Sequence, residues 1–207
     1  MGTPKPYVNP DSISKVEQQR KRDSIQTVKE ANFLMAIHEP DLKKINHETY
    51  RIIWQFAFEP GPASGRLIRI EATDSGKYIT TRWYKNGYVG GTTKSNMHLY
   101  NDTVLHEFRR TLYPDGWYDI KTLIDGSYFW SRPTRDGREG FDGWDLIIEG
   151  AKFNKDSNKM VYHKIMRWSP ESDAILAIYH KFLELSGVYS QNEKGQWEER
   201  QPADYRY

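Results

Sequence analysis

Between residues 49 and 85 the chain alternates apolar and polar side chains with a period of two. "TYRIIWQFAF" (49–58), "RLIRIEAT" (66–73) and "KYITTRWYK" (77–85) each read as a strand, divided by the turns "EPGPASG" (59–65) and "DSG" (74–76). Aromatic and β-branched residues at alternate positions suit a pleated surface. These runs predict an antiparallel meander with one buried face. Beyond the punctuation of "NGYVGG" (86–91), "TKSNMHLYNDTVL" (93–105) is a fourth candidate strand. "WDLIIEGAKF" (144–153) and "KMVYHKIMRW" (159–168) read as a hairpin joined by "NKDSN" (154–158).

Elsewhere the spacing is helical. "SPESDAILAIYHKFLELSG" (169–187) places Ile175, Leu176, Tyr179, Phe182 and Leu183 on one face. Ser169 is its expected N-cap, with Pro170 in the first turn, Glu171 and Asp173 complementing the helix dipole, and Gly187 ending it. Two short helical pieces, 104–112 and 117–124, flank "PDG" (114–116), and 131–143 reads as a long loop. Near the start, "DSISKVEQQRKRDSIQTVKEANFLMAI" (11–37) is a polar helix capped by Asp11 or Ser12. Its apolar positions thicken only at Phe33, Leu34 and Ile37, so its second half alone is expected to dock. The expected organisation is a leader and polar helix over 1–37, one α+β domain over 38–189, and a polar, mobile tail over 190–207 that Trp197 pins in part. In that α+β fold an antiparallel sheet of about five to seven strands packs on the C-terminal helix.

Composition narrows the function classes. Tyr (14), Phe (8) and Trp (7) make up much of the 37% hydrophobic fraction, which supports the sheet assignment. Lys and Arg (30) nearly balance Asp and Glu (28), so no strong field draws nucleic acid or membrane. The densest basic run, "QQRKRD" (18–23), reads as a solvated helix face. With no cysteine, disulfides, thiolate catalysis and Cys-ligated zinc are excluded. No apolar run approaches the roughly 20 residues of a membrane span, so no transmembrane segment is expected.

The densest candidate chemistry is "RDGREGFDGWDLIIEG" (135–150), with Asp136, Asp142, Asp145 and Glu149. Asp142-Gly143 and Glu149 match the second half of an EF-hand loop. The first two ligand positions would be Arg138 and Gly140, which excludes a calcium loop of that kind. An irregular oxygen site from Asp136, Glu139 and Asp142 is the alternative to an Asp-Gly turn with its carboxylates in water, and the turn is the expected form; no metal or cofactor is assigned. A carboxylate pair for glycoside or phosphodiester hydrolysis needs the groups to converge in one cleft. "HEPDL", "HETYR" and "HEFRR" lack the second histidine of a zinc-protease helix, and no nucleophile elbow or phosphate-binding loop is present. In "YHKIMRWSPES" (162–172), Arg167 and Trp168 either bind an anion beside the last helix, with Trp144 nearby, or hold the fold together, Arg167 by pairing with a carboxylate of the 136–145 loop. The holding role is the expected one.

Two stretches resemble known proteins. The leader, with "DSI" at 11–13 and again at 23–25, resembles the stalk behind the lipidated cysteine of Bacteroidetes-type envelope lipoproteins. That implies a lipid anchor removed together with a signal segment. Residues 129–187, through "FWSRP", "FDGWDLIIEG" and "YHKIMRWSPES", resemble a family of uncharacterised bacterial proteins with no established activity. That resemblance implies a shared scaffold and assigns no catalytic role. The expected function is a non-enzymatic binding protein of the bacterial envelope with a protein partner, acting as immunity proteins do. The alternatives are a hydrolase using the loop carboxylates, and a cytoplasmic location.

Overall fold

The computed structural model describes residues 10–56, 65–84, 104–138, 143–170 and 174–199. A long helix α1 (Pro10–Ala36) leads into strands β1 (Glu48–Phe56), β2 (Gly65–Thr73), β3 (Gly76–Tyr84) and β4 (Val104–Thr111). Helix α2 (Pro114–Gly126) and a 3-10 turn (Phe129–Ser131) precede the hairpin β5 (Trp144–Asn154) and β6 (Lys159–Trp168). Helix α3 (Ala174–Ser186) and a small hairpin, β7 (Tyr189–Gln191) with β8 (Trp197–Glu199), close the described chain. The main sheet is six-stranded, in the order β4-β3-β2-β1-β5-β6, and every pairing in it is antiparallel. The protein is thus α+β. Among the described residues no helix is long and apolar enough to cross a membrane.

The period-two pattern decides which side chains meet. Tyr50, Ile52 and Trp54 of β1, Ile68 and Ile70 of β2, and Leu146 and Ile148 of β5 point to one face. There they pack with Trp117, Ile120 and Ile124 of α2 and Ile175, Ile178 and Phe182 of α3. Burying side chains of this size is worth roughly 1.5–3 kcal/mol each, so this face supplies most of the driving force. Gly150 belongs to it because the rings crowd in. A Cβ there would lie 3.1 Å from both Phe129 and Tyr50 and 3.2 Å from Trp130.

The opposite face is not left to solvent, contrary to the expectation of a single buried face. Thr49, Arg51 and Ile53 of β1 are buried beneath the end of α1 and the strap that follows it, residues 37–47. Phe33 meets Tyr84 edge-on at 5.4 Å, and Glu30 pairs with Lys164 at 2.9 Å. Every side chain described between Lys15 and Val28 is exposed, so among the described residues α1 docks by its C-terminal end.

Two local expectations are corrected. The helical piece expected over 104–112 is β4; residues 93–103 of the candidate fourth strand lie outside the described residues. In "HEFRRT", Phe108 packs on the core while Glu107 and Arg109 point to the other face, pairing with Arg82 and Glu71. Glu107 and Arg109 each pair with a residue of another strand, and Arg110 donates to Leu185 O at the end of the last helix, contacts that outweigh the helical propensity of the run. Ser169, the expected N-cap of α3, is followed by residues 171–173, which lie outside the described residues. It sits at φ 38°, its hydroxyl accepts the Trp144 N–H at 3.2 Å, and its own N–H donates to Trp144 O at 2.8 Å. The segment read as a loose tail carries the β7–β8 hairpin, with Trp197 packed on the core and its ring 6.0 Å from that of His180.

The end of α1 is a Schellman motif: Glu39 N–H donates to Leu34 O at 2.8 Å and His38 N–H to Met35 O at 3.2 Å. His38 occupies the left-handed position at φ 56°, where glycine is favoured. A non-glycine residue there carries a steric penalty of roughly 1–2 kcal/mol. His38→Gly is therefore expected to stabilise the protein by about 1 kcal/mol in urea unfolding, after the extra freedom of glycine in the unfolded chain is offset. A loss of stability would mean that the His38 ring itself holds the strap.

Candidate functional site

The β5–β6 hairpin ends beside the segment 133–138, which runs along β6. Met166 N–H donates to Thr134 O at 2.7 Å, and Arg135 bridges to Met166. Arg167 fixes this arrangement. Its guanidinium donates to the carbonyls of Met166 (2.8 Å), Thr134 (3.2 Å) and Pro133 (3.2 Å), and its Nε lies 3.6 Å from Asp136. The holding role read for Arg167 is therefore present, including the pairing with a loop carboxylate.

Between these elements lies an open cleft of about 290 Å³, lined by Arg135, Asp136, Arg138, Asp145, Met166, Arg167 and Trp168. Asp136 is a slight case of burial raising a carboxyl. Hydrogen bonds and charge from Arg138, with a further contribution from Arg167, outweigh it and hold the group below the usual carboxylate range. Asp145, register partner of Trp168, moves the other way: burial pushes its carboxyl up, and Arg135 only partly opposes this.

The sequence candidates therefore divide. Asp136, Asp145, Arg167 and Trp168 share the cleft. Trp144 points to the opposite face of the sheet, its ring 5.2 Å from that of Tyr179 on α3. Asp142 and Glu139 lie outside the described residues. Glu149 is four residues along β5 from Asp145, roughly 13 Å at strand rise, and joins a different site.

That second site was not singled out in the sequence. Beneath the strap, Arg51 of β1, Arg69 of β2 and Arg82 of β3 converge on the carboxylate of Glu39. Arg51 Nη1 and Arg69 Nε each lie 3.1 Å from Oε2, and Arg82 Nη1 bonds Oε1. Arg51 also grips Glu149 through Nε (2.8 Å) and Nη2 (2.5 Å), and donates to Pro40 O at 2.9 Å. Arg82 reaches the carbonyls of Ile37 and His38, and Glu107. Glu71 takes Arg69 and Arg109, and Tyr162 donates its hydroxyl to Glu149 at 2.6 Å. The side chains of Arg51 and Glu39 are fully buried.

Electrostatics here follow from enclosure. Burial pushes the Glu149 carboxyl up, but the Arg51 charge, the Tyr162 hydroxyl and Lys164 outweigh it and hold the group below its ordinary range. A lowered folded-state value stabilises the fold above the unfolded carboxylate range, and that contribution is lost as pH falls through the lowered value. Burial likewise raises the Tyr162 hydroxyl, with Glu149 adding to the effect, so Tyr162 remains a donor at any physiological pH. The sequence signal for this site is an arginine at a polar position of the period-two pattern in three consecutive strands, at 51, 69 and 82. The chain matches no family model and no curated protein.

Proposed function

We propose that the protein is a non-enzymatic binding protein that docks an acidic surface of a partner protein in the cleft between 135–138 and the β5–β6 end. The observation that carries this reading is the composition of the cleft: three arginines set against two aspartates around an indole and a methionine. Positive charge beside an aromatic wall is a common form of interface anchor. Arg167 holds the backbone of 133–134 in place, so little ordering is needed on binding. The resemblance of the leader to Bacteroidetes-type lipoprotein stalks supports a place in the bacterial envelope, where such a protein would neutralise or accompany its partner in the manner of an immunity protein.

The test is capture by the immobilised chain from envelope extracts of the source organism and its neighbours, run beside Arg138→Glu and Trp168→Ala and read by mass spectrometry. One stoichiometric partner is expected, retained at least about 10-fold less by each variant, as for an interface hot spot. A partner held equally by all three proteins would place the interface elsewhere, and no partner would remove the reading.

A second reading has one specific observation behind it. Asp136 and Asp145 share the cleft and are shifted in opposite directions, as in an acid–base pair. On that reading the protein hydrolyses glycans or phosphodiesters, and Asp145→Asn abolishes a turnover that Glu149→Gln leaves in place.

A further inference from the structure

Helix α1 carries apolar side chains on two sides. Those on one side face the sheet: Phe33 meets the ring of Tyr84, Ile37 beyond the helix end is buried, and Glu30 beside them pairs with Lys164. Ile25, Val28 and Met35 do not, and are 49%, 56% and 71% exposed. At about 3.6 residues per turn, Val28 and Met35 stand roughly 150° round the helix from Phe33, away from the sheet. The apolar stripe of a surface helix ordinarily faces its own core. This one faces outward, on a helix whose described side chains from Lys15 to Val28 are all exposed. Helices in proteins draw most of their stability from packing, so this length of α1 lacks the usual support among the described residues.

The outward stripe has the spacing of a coiled coil. Positions 18, 21, 25, 28, 32 and 35 advance by alternate steps of three and four, as the a and d positions of a heptad do. Ile25 (a) and Val28 (d) form its apolar centre, Asn32 (a) and Met35 (d) follow, and Gln18 (a) and Lys21 (d) precede. All six side chains are exposed or half-buried. A β-branched residue at a favours two strands, and an asparagine at a fixes their register by pairing with its own copy. The flanking charges select the orientation. The e positions 15, 22 and 29 are Lys, Arg and Lys in the sequence, and the g position 17 is Glu. Parallel helices set a g residue against the e position of the partner's next heptad, which puts Glu17 opposite position 22, an arginine. Antiparallel helices would set the e rows against each other, basic on basic, and like charges so placed are costly.

We propose that α1 pairs with α1 of a second copy of this chain, as a parallel two-stranded coiled coil over residues 18–35, with the two sheets on opposite outer sides. The same stripe serves both copies, so the contact closes on a two-fold axis and stops at a dimer. Polar residues at seam positions cost stability, so the pairing is reversible and concentration-dependent. It uses neither edge of the sheet nor the cleft at 135–138, and stands independently of the function proposed for that cleft.

The test is sedimentation equilibrium of the full chain from about 1 µM to about 200 µM, the range over which a weak dimer forms. The mass is expected to rise from one chain to two. Val28→Glu is expected to raise the dissociation constant at least about 10-fold. It should leave the urea midpoint at the lowest concentration in place, because Val28 is exposed in the single chain. Thr27→Glu, exposed one residue away and off the stripe, is expected to dimerise as the wild type does. Orientation is read by cross-linking, since the chain has no cysteine of its own. Lys21→Cys and Met35→Cys, oxidised separately, are each expected to give a covalent dimer. One chain mass at every concentration, or a mass above two chains, would overturn the proposal. So would a dimer indifferent to Val28→Glu, one lost equally with Thr27→Glu, or cross-links that form only when the two cysteine variants are mixed.

Discussion

Arg51→Ala is expected to destabilise the protein by about 3–5 kcal/mol, the range for removing one partner of a buried ion pair. The side chain is fully buried and is shared by two carboxylates, Glu39 and Glu149, and by the Pro40 carbonyl. Truncation leaves those acceptors in a dry environment facing fewer donors, and the penalty is chiefly theirs. Arg109→Ala is the matched control. Its side chain is 49% exposed, and its pairing with Glu71 is screened by water, so a change under about 1 kcal/mol is expected. Urea unfolding of both variants, with slopes compared to confirm two-state behaviour, makes the measurement. A loss below 1 kcal/mol for Arg51→Ala would mean that water reaches the cluster.

Trp117→Ala is expected to destabilise by a similar amount, about 3–5 kcal/mol, for a different reason. Trp117 is the largest buried side chain of α2, with its ring 5.8 Å from that of Tyr50 on β1. Helix α2 has a proline in its first turn but no side-chain cap on its N-terminus, so it depends on packing. Removing the indole leaves a cavity between helix and sheet that neighbouring β1 and α3 side chains, themselves tightly packed, cannot fill. Tyr118→Ala, one residue on and 61% exposed, is expected to stay within about 0.5 kcal/mol. Thermal and urea unfolding of the pair separate the two cases. Equal effects would show that α2 is not packed as described.

What was legible in the sequence and what was not divide along physical lines. The strands 49–58, 66–73 and 77–85, the 144–168 hairpin and the last helix each carry a strong local period, and each is present within a few residues. The pairing of β2 with β3 follows from the short turn at 74–75 between them. β4 was misread because its alternation, Phe108 inward with Glu107 and Arg109 opposite, depends on partners in β2 and β3 that no local window contains. The buried arginines were missed for the same reason. An arginine at an alternate strand position is indistinguishable from a solvated one until the strap that covers it is placed. In the cleft, proximity in sequence brought Asp136, Asp145, Arg167 and Trp168 into view together. It also added Glu149, which strand geometry carries to the far cluster, and Trp144, which the pleat turns to the other face.

The run of backbone from Pro133 to Arg135 along β6 has a consequence for behaviour at high concentration. β6 is the last strand of the sheet, and an open last strand offers its N–H and C=O groups to another chain. The Thr134 carbonyl already takes the Met166 N–H, and Arg135 lies against the same strand. At the other border, β4 shows the charges of Glu107 and Arg109 to a would-be intruder. The molecule therefore carries its own guards against edge-to-edge polymerisation, one made of main chain and one of charge. Loosening the first, by releasing Arg167 from the carbonyls it clamps, would open the N–H and C=O groups of β6 to pairing with another chain.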